Sequence, residues 1–79
     1  MTIDEALKEL KGYETNRRFA RLVTICTAFF GSPRISGSHY IFKTPWKGDP
    51  RINLQKVKGM AKPYQVRQVI SALEKLKGV

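Results

Sequence analysis

Apolar residues recur along the chain in two rhythms. Thr2 followed three residues later by Glu5 is a capping box, and Ile3, Ala6, Leu7 and Leu10 then fall at helical spacing. Gly12 can end that helix in the left-handed conformation. A helix of about ten residues does not persist alone in water, so it must dock through Leu7 and Leu10. Tyr13 to Asn16 is a connector, and Thr15 or Asn16 can cap the next helix. From Arg17 to Phe30, the residues Phe19, Leu22, Val23, Cys26, Phe29 and Phe30 form one apolar stripe at 3.6-residue periodicity. Gly31-Ser32-Pro33 terminates it.

The rhythm then changes. Arg34-Ile35-Ser36 reads as a short strand, Gly37-Ser38 as a hairpin turn, and His39 to Thr44 as a second strand built on Tyr40-Ile41-Phe42. Pro45 to Pro50 is a loop of turn formers. Arg51 to Gln55 alternates polar and apolar, with Ile52 and Leu54 turned to the core and Arg51, Asn53 and Gln55 turned out. Lys56 to Ala61 reads as a basic loop. Pro63 opens a last helix, on which Val66, Val69, Ile70, Leu73 and Leu76 form a second stripe, with Lys75 and Lys77 complementing its C-terminal dipole. The expected fold class is α+β. A small antiparallel sheet of two or three strands carries both long helices on one face, and an extra short helix lies at the N-terminus. The chain, 79 residues, is read as one domain.

Charge changes the picture most. Fifteen Lys and Arg face six Asp and Glu, for a net charge of +9. Residues 1–14 hold two bases and four acids, a net of −2; residues 15–79 hold thirteen bases and two acids, a net of +11. A body that basic attracts a polyanion, with nucleic acid as the default and an acidic protein as the alternative. Arg17, Arg18 and Arg21 lie near the start of the first long helix, where they oppose its dipole. No apolar run reaches the ~20 residues of a membrane span, and the acidic N-terminus is unlike a signal peptide. The single cysteine, Cys26, lies on an apolar stripe and reads as a reduced core thiol of a cytoplasmic protein.

Several chemistries are excluded by residue type. One His and one Cys far apart build no zinc site, and there is no phosphate loop ending in Lys-Ser/Thr. Only Asp49 and Glu74 could complete a triad with His39, and Cys26 is on a buried stripe. No metal or cofactor is expected. RNA cleavage stays open, because RNA supplies its own nucleophile, the 2′-hydroxyl. The protein then needs a group to move protons and positive charge at the phosphate. His39 is the candidate for the first task. Lys43 shares its strand face by alternation, Arg34 and Arg51 lie on neighbouring strands, and Ser38 can donate to a phosphate oxygen. Trp46 either stacks on a base or folds back over the sheet edge. Spacing alone leaves open that His39 is only a surface residue.

Gly37-Ser38-His39-Tyr40-Ile41-Phe42-Lys43, a Pro/Gly turn, a strand over Arg51 to Gln55, and Met60-Ala61-Lys62-Pro63 opening a helix with Val66-Arg67 and Val69-Ile70 together resemble the HicA toxin family of bacterial toxin–antitoxin pairs. The resemblance covers about residues 17–77. It implies a fold like a double-stranded-RNA-binding domain over 16–79, and a type II toxin that cleaves mRNA and arrests growth. It also implies His39 as the catalytic residue and an acidic HicB-type antitoxin that covers it. The chain departs from the family's pattern in four places. It adds the acidic helix of residues 2–11, it carries Pro33 just before the first strand, Tyr64-Gln65 stands where Gly-Thr is usual, and the loop bearing Trp46 is longer.

Overall fold

The structure, a computed structural model, describes residues 1–12, 17–47 and 51–78. The connector of residues 13–16, with the caps expected at Thr15 or Asn16, and the loop residues 48–50, with Asp49, lie outside the described residues.

Helix α1 spans Ile3–Leu10, and its start is set by the reciprocal cap. The Glu5 amide donates to Thr2 Oγ1 at 3.1 Å, and the Thr2 amide donates to Glu5 Oε1 at 2.7 Å. Gly12, with φ +83°, carries the chain away beyond Lys11. Ala6, Leu7 and Leu10 are buried. Full burial of one leucine side chain is worth ~1.5–3 kcal/mol, which is what lets so short a helix persist.

The next element corrects the sequence reading. Arg17–Arg18 is not the first turn of a helix but a two-residue strand, β1. The turn Lys58-Gly59, in which both residues have positive φ, folds Met60 back on Val57. This makes Met60–Ala61 a strand, β5, inside the stretch expected to be a basic loop. β1 and β5 pair antiparallel, Arg17 opposite Ala61 and Arg18 opposite Met60. Two-residue strands have no alternation to read, so the pattern could not announce them. Helix α2 therefore begins at Phe19 and runs to Phe30. Its buried residues are Phe19, Leu22, Ile25 and Cys26, with Val23, Phe29 and Phe30 half-buried. Ile25, absent from the expected stripe, is fully buried.

Strands β2 (Arg34–Ser36), β3 (His39–Phe42) and β4 (Ile52–Gln55) form a three-stranded antiparallel sheet in that order. Gly37 alone in the two-residue turn has positive φ, +61°, the pattern of a type II′ hairpin. β3 stops at Phe42 rather than Thr44. Helix α3 spans Pro63–Lys77 and buries Val66, Val69, Ile70, Ala72 and Leu73 together with Gln65. The Gln65 side-chain amide donates to the Gln55 carbonyl at 3.0 Å, tying α3 to β4 without leaving its polar group unpaired in the interior.

Both long helices contact the sheet, α2 on β3 and α3 on β4, and they touch each other. The Phe19 ring meets Tyr40 edge to face, centroids 5.1 Å apart. Phe42, Ile52 and Leu54 are buried on this side. His39, Asn53 and Gln55 are exposed on the other, with Ile41 half-buried. Among the described residues the molecule is thus an α+β fold of three helices and antiparallel sheets, and no helix is long and apolar enough to cross a membrane.

Candidate nucleic-acid interface

The register of the sheet builds the site. Directly paired residues share a face, so the open face carries two complete cross-strand rows. Ser36, His39 and Gln55 form the first, and Arg34, Ile41 and Asn53 the second. The type II′ turn enters β3 directly at His39, which fixes the imidazole at the start of a paired strand. Its Nδ1 lies 3.1 Å from Oδ1 of Asn53, on the diagonal between the two rows. A carboxamide oxygen only accepts, so in the neutral imidazole this contact selects the tautomer protonated at Nδ1, with the lone pair on Nε2. The ring is exposed.

Three of the expected cations come together beside it. Arg34, Lys43 and Arg51 line a depression of about 280 Å³ around Ile41, floored by Phe30 and Pro33 at the end of α2. Ser38 is exposed in the turn, and its carbonyl accepts from the Lys56 amide at 2.8 Å. His39 and Ser38 are not part of the depression; His39 stands in the next cross-strand row. Trp46 takes the second of its two expected positions. It is folded back and half-buried, with Phe30 edge-on at 6.0 Å and the Lys75 ammonium 4.6 Å from its ring centroid.

Asn53 was expected to face outward, yet nothing in its spacing marked it as a partner of His39. The alternation Ile52-Asn53-Leu54 put it on the open face, but register decides which outward residue a histidine meets.

The described carboxylates are committed elsewhere. Glu9 takes two hydrogen bonds from Arg21, at 2.7 and 2.6 Å, and lies 3.9 Å from Arg17. These bonds to Arg21 hold the Glu9 carboxyl below the usual glutamate range despite partial burial, and they push the Arg21 guanidinium up. Glu74 pairs with Lys11 at 3.0 Å, and Asp4 with Lys77. Glu5 is held low by the Thr2 amide of its capping box. None of these four stands on the sheet. Burial pushes the Cys26 thiol up to about 12, so it offers no thiolate near neutral pH. Among the described residues no group of three His, Cys, Asp or Glu could hold a metal ion.

Comparison of the chain with models of protein families, with curated proteins and with solved structures found no match.

Proposed function

We propose that the chain is a histidine-dependent endoribonuclease, acting on mRNA in the manner of the HicA toxins its sequence resembles. The helix, three-stranded sheet, helix order of α2 to α3 fits the double-stranded-RNA-binding-domain architecture which that resemblance implies. The observation that carries the reading is His39, exposed on an open face and oriented through Nδ1 by Asn53, one row from Arg34 and Ile41. In the proposed reaction, Nε2 takes the proton of a ribose 2′-hydroxyl. The 2′-oxygen forms a bond to the adjacent phosphorus while the bond to the 5′-oxygen breaks. The products are a 2′,3′-cyclic phosphate and a 5′-hydroxyl end. The leaving oxygen gains its proton from solvent, which reaches the open face. Arg34, Lys43 and Arg51 supply the positive charge that steadies the phosphate as it gains negative charge. A single positioned base contributes about 10²–10⁴-fold, which suits a small domain that has only to damage a long polymer.

The partners implied by this reading are RNA and an acidic HicB-type antitoxin laid on the same cationic face, in the cytoplasm. The second reading is a non-catalytic RNA-binding module. It is favoured by one observation, that none of the described carboxylates stands beside His39 as a second acid–base group. Incubating RNA with wild type and His39→Ala separates the two. Cleavage by wild type alone, with equal RNA affinity for both, supports the ribonuclease. Equal cleavage by both removes His39 from the reaction. Binding without products from either, weakening steeply with salt, selects the module.

A further inference from the structure

The start of α2 inverts the usual charge of a helix N-terminus. Such ends favour acidic residues and side-chain oxygen caps. Here the N-cap is Arg18, its side chain makes no capping bond, and no acid stands in the first turn. Arg17, Arg18, Arg21 and Met60 surround a depression of about 530 Å³, within the roughly 300–1,000 Å³ typical of ligand sites. Met60, opposite Arg18 in the β1–β5 pair, is 41% exposed and gives it an apolar wall. One anion already reaches into this cluster, and it comes from the chain itself. The Glu9 carboxylate of α1 is gripped in a fork by Arg21, with Arg17 3.9 Å away. Among the described residues no ion pair holds Arg18.

The depression does not stand alone. Arg18 also lines a neighbouring hollow of about 370 Å³ with Lys56, Phe19 and Tyr40. The Lys56 amide binds the Ser38 carbonyl, and the preceding residue, Gln55, is paired with His39. Arg21, Arg18 and Lys56 thus mark a course from the start of α2 to the end of the sheet, where the Gly37-Ser38 turn leads into His39.

From this juxtaposition we infer that the Arg17–Arg18–Arg21–Met60 depression is a second binding site for nucleic-acid phosphodiesters, which Glu9 partly closes as an internal substitute for phosphate. The guanidinium fork fits phosphate as it fits carboxylate. A single RNA strand seated there continues past Lys56 and round the turn end of the sheet to His39. The site extends the proposed ribonuclease reading by giving its substrate a second anchor away from the point of cleavage. It also gives α1 a use: the acidic helix competes with RNA and discourages weak or short ligands.

The test uses the full chain and a short, dye-labelled 2′-O-methyl oligonucleotide, which has no free 2′-hydroxyl and is not consumed. Affinity is read by fluorescence anisotropy over a range of salt. Arg18→Ala weakens binding and lowers the slope of log affinity against log salt by about 0.7, the value of one lost single-strand phosphate contact. Glu9→Gln tightens binding several-fold. Unchanged affinity in both variants overturns the inference, as does weaker binding by Glu9→Gln in a protein that melts like wild type. Should Glu9→Gln loosen α1, Arg18→Ala still decides. If polyglutamate binds wild type in an Arg18-dependent way while the oligonucleotide ignores Arg18, the site is for acidic protein and the proposal is lost. Cleavage of unmodified RNA is scored separately. Its absence beside Arg18-dependent binding sinks the ribonuclease and leaves this site standing.

Discussion

Nδ1 of His39 and Oδ1 of Asn53 lie 3.1 Å apart across two adjacent strands, although the residues are fourteen positions apart in the chain. They are not directly paired: His39 sits opposite Gln55, and Asn53 opposite Ile41. The bond therefore runs diagonally, within the reach of a long side chain across an antiparallel pair. It fixes both the ring's rotation and its tautomer, since the accepting oxygen selects the form protonated at Nδ1.

Removing that oxygen leaves the imidazole in place and lets it turn. A neutral hydrogen bond at an exposed site is worth ~0.5–1.5 kcal/mol, so under the proposed ribonuclease reading Asn53→Ala should lower kcat for RNA cleavage by roughly three- to tenfold and leave KM nearly unchanged. Asn53→Asp keeps an accepting oxygen within reach of Nδ1 and should retain more of kcat than Asn53→Ala. Asn53→Ala with wild-type kcat would show that the contact orients nothing catalytic.

How much of this was legible in the sequence depends on the length of chain each signal needs. The stripe of α3 and the Ile52–Leu54 alternation report a burial that repeats over several residues, and the capping box of α1 a fixed spacing; all three are found, with Leu76 alone of the expected α3 stripe only half-buried. The β1–β5 pair is only two residues long, so it left no pattern. Its cost to the sequence reading was the placement of Arg17 and Arg18, assigned to a helix they precede. Among site residues, the cluster of Arg34, Lys43 and Arg51 follows from strand order and alternation. The Asn53 contact and the Glu9–Arg21 fork depend on register and on the docking of distant elements, which local pattern does not carry.

Cys26 gives a direct check on the core. Its side chain is fully buried, and burial lifts the thiol to about 12, because the thiolate would have to form away from water. At pH 8 an alkylating reagent should therefore label the native protein only as fast as the protein opens. Labelling should rise in step with the unfolded fraction as urea is added. Rapid, stoichiometric modification without denaturant would mean that α2 does not face the interior as described.

Trp46 separates packing from recognition. Its ring is edge-on to Phe30 and lies under the Lys75 ammonium, a contact worth ~0.5–1 kcal/mol where exposed. An aromatic pair adds ~0.5–1.5 kcal/mol beyond its buried area. Trp46→Ala should thus lower stability by at least ~1–2 kcal/mol, seen as a lower urea midpoint. RNA affinity should stay within twofold, because the ring is occupied by the protein itself. A variant of wild-type stability with sharply weakened RNA binding would return Trp46 to the role of a stacking platform.

The Glu9–Arg21 fork makes the docking of α1 sensitive to acid. Arg21's hydrogen bonds foremost, against some opposition from burial, hold the folded Glu9 carboxyl below its ordinary value of 4.5. A carboxyl depressed in the folded state stabilises the fold above its unfolded pKa, and that contribution disappears as pH falls through the folded value. The side chain of Arg21 is 44% exposed, so solvent screens the pair and its worth is limited to ~0–1 kcal/mol. Glu9→Gln should therefore be less stable than wild type by up to about that amount at pH 7 and at pH 5 alike. Below the ordinary glutamate pKa the difference should shrink, and it should vanish once the wild-type carboxyl is protonated. Every other carboxylate is common to the two chains and cancels in the comparison. Urea midpoints at pH 7, 5 and 3 measure it. A gap that persists undiminished at pH 3 would show that Glu9 acts through packing and not through its charge on Arg21.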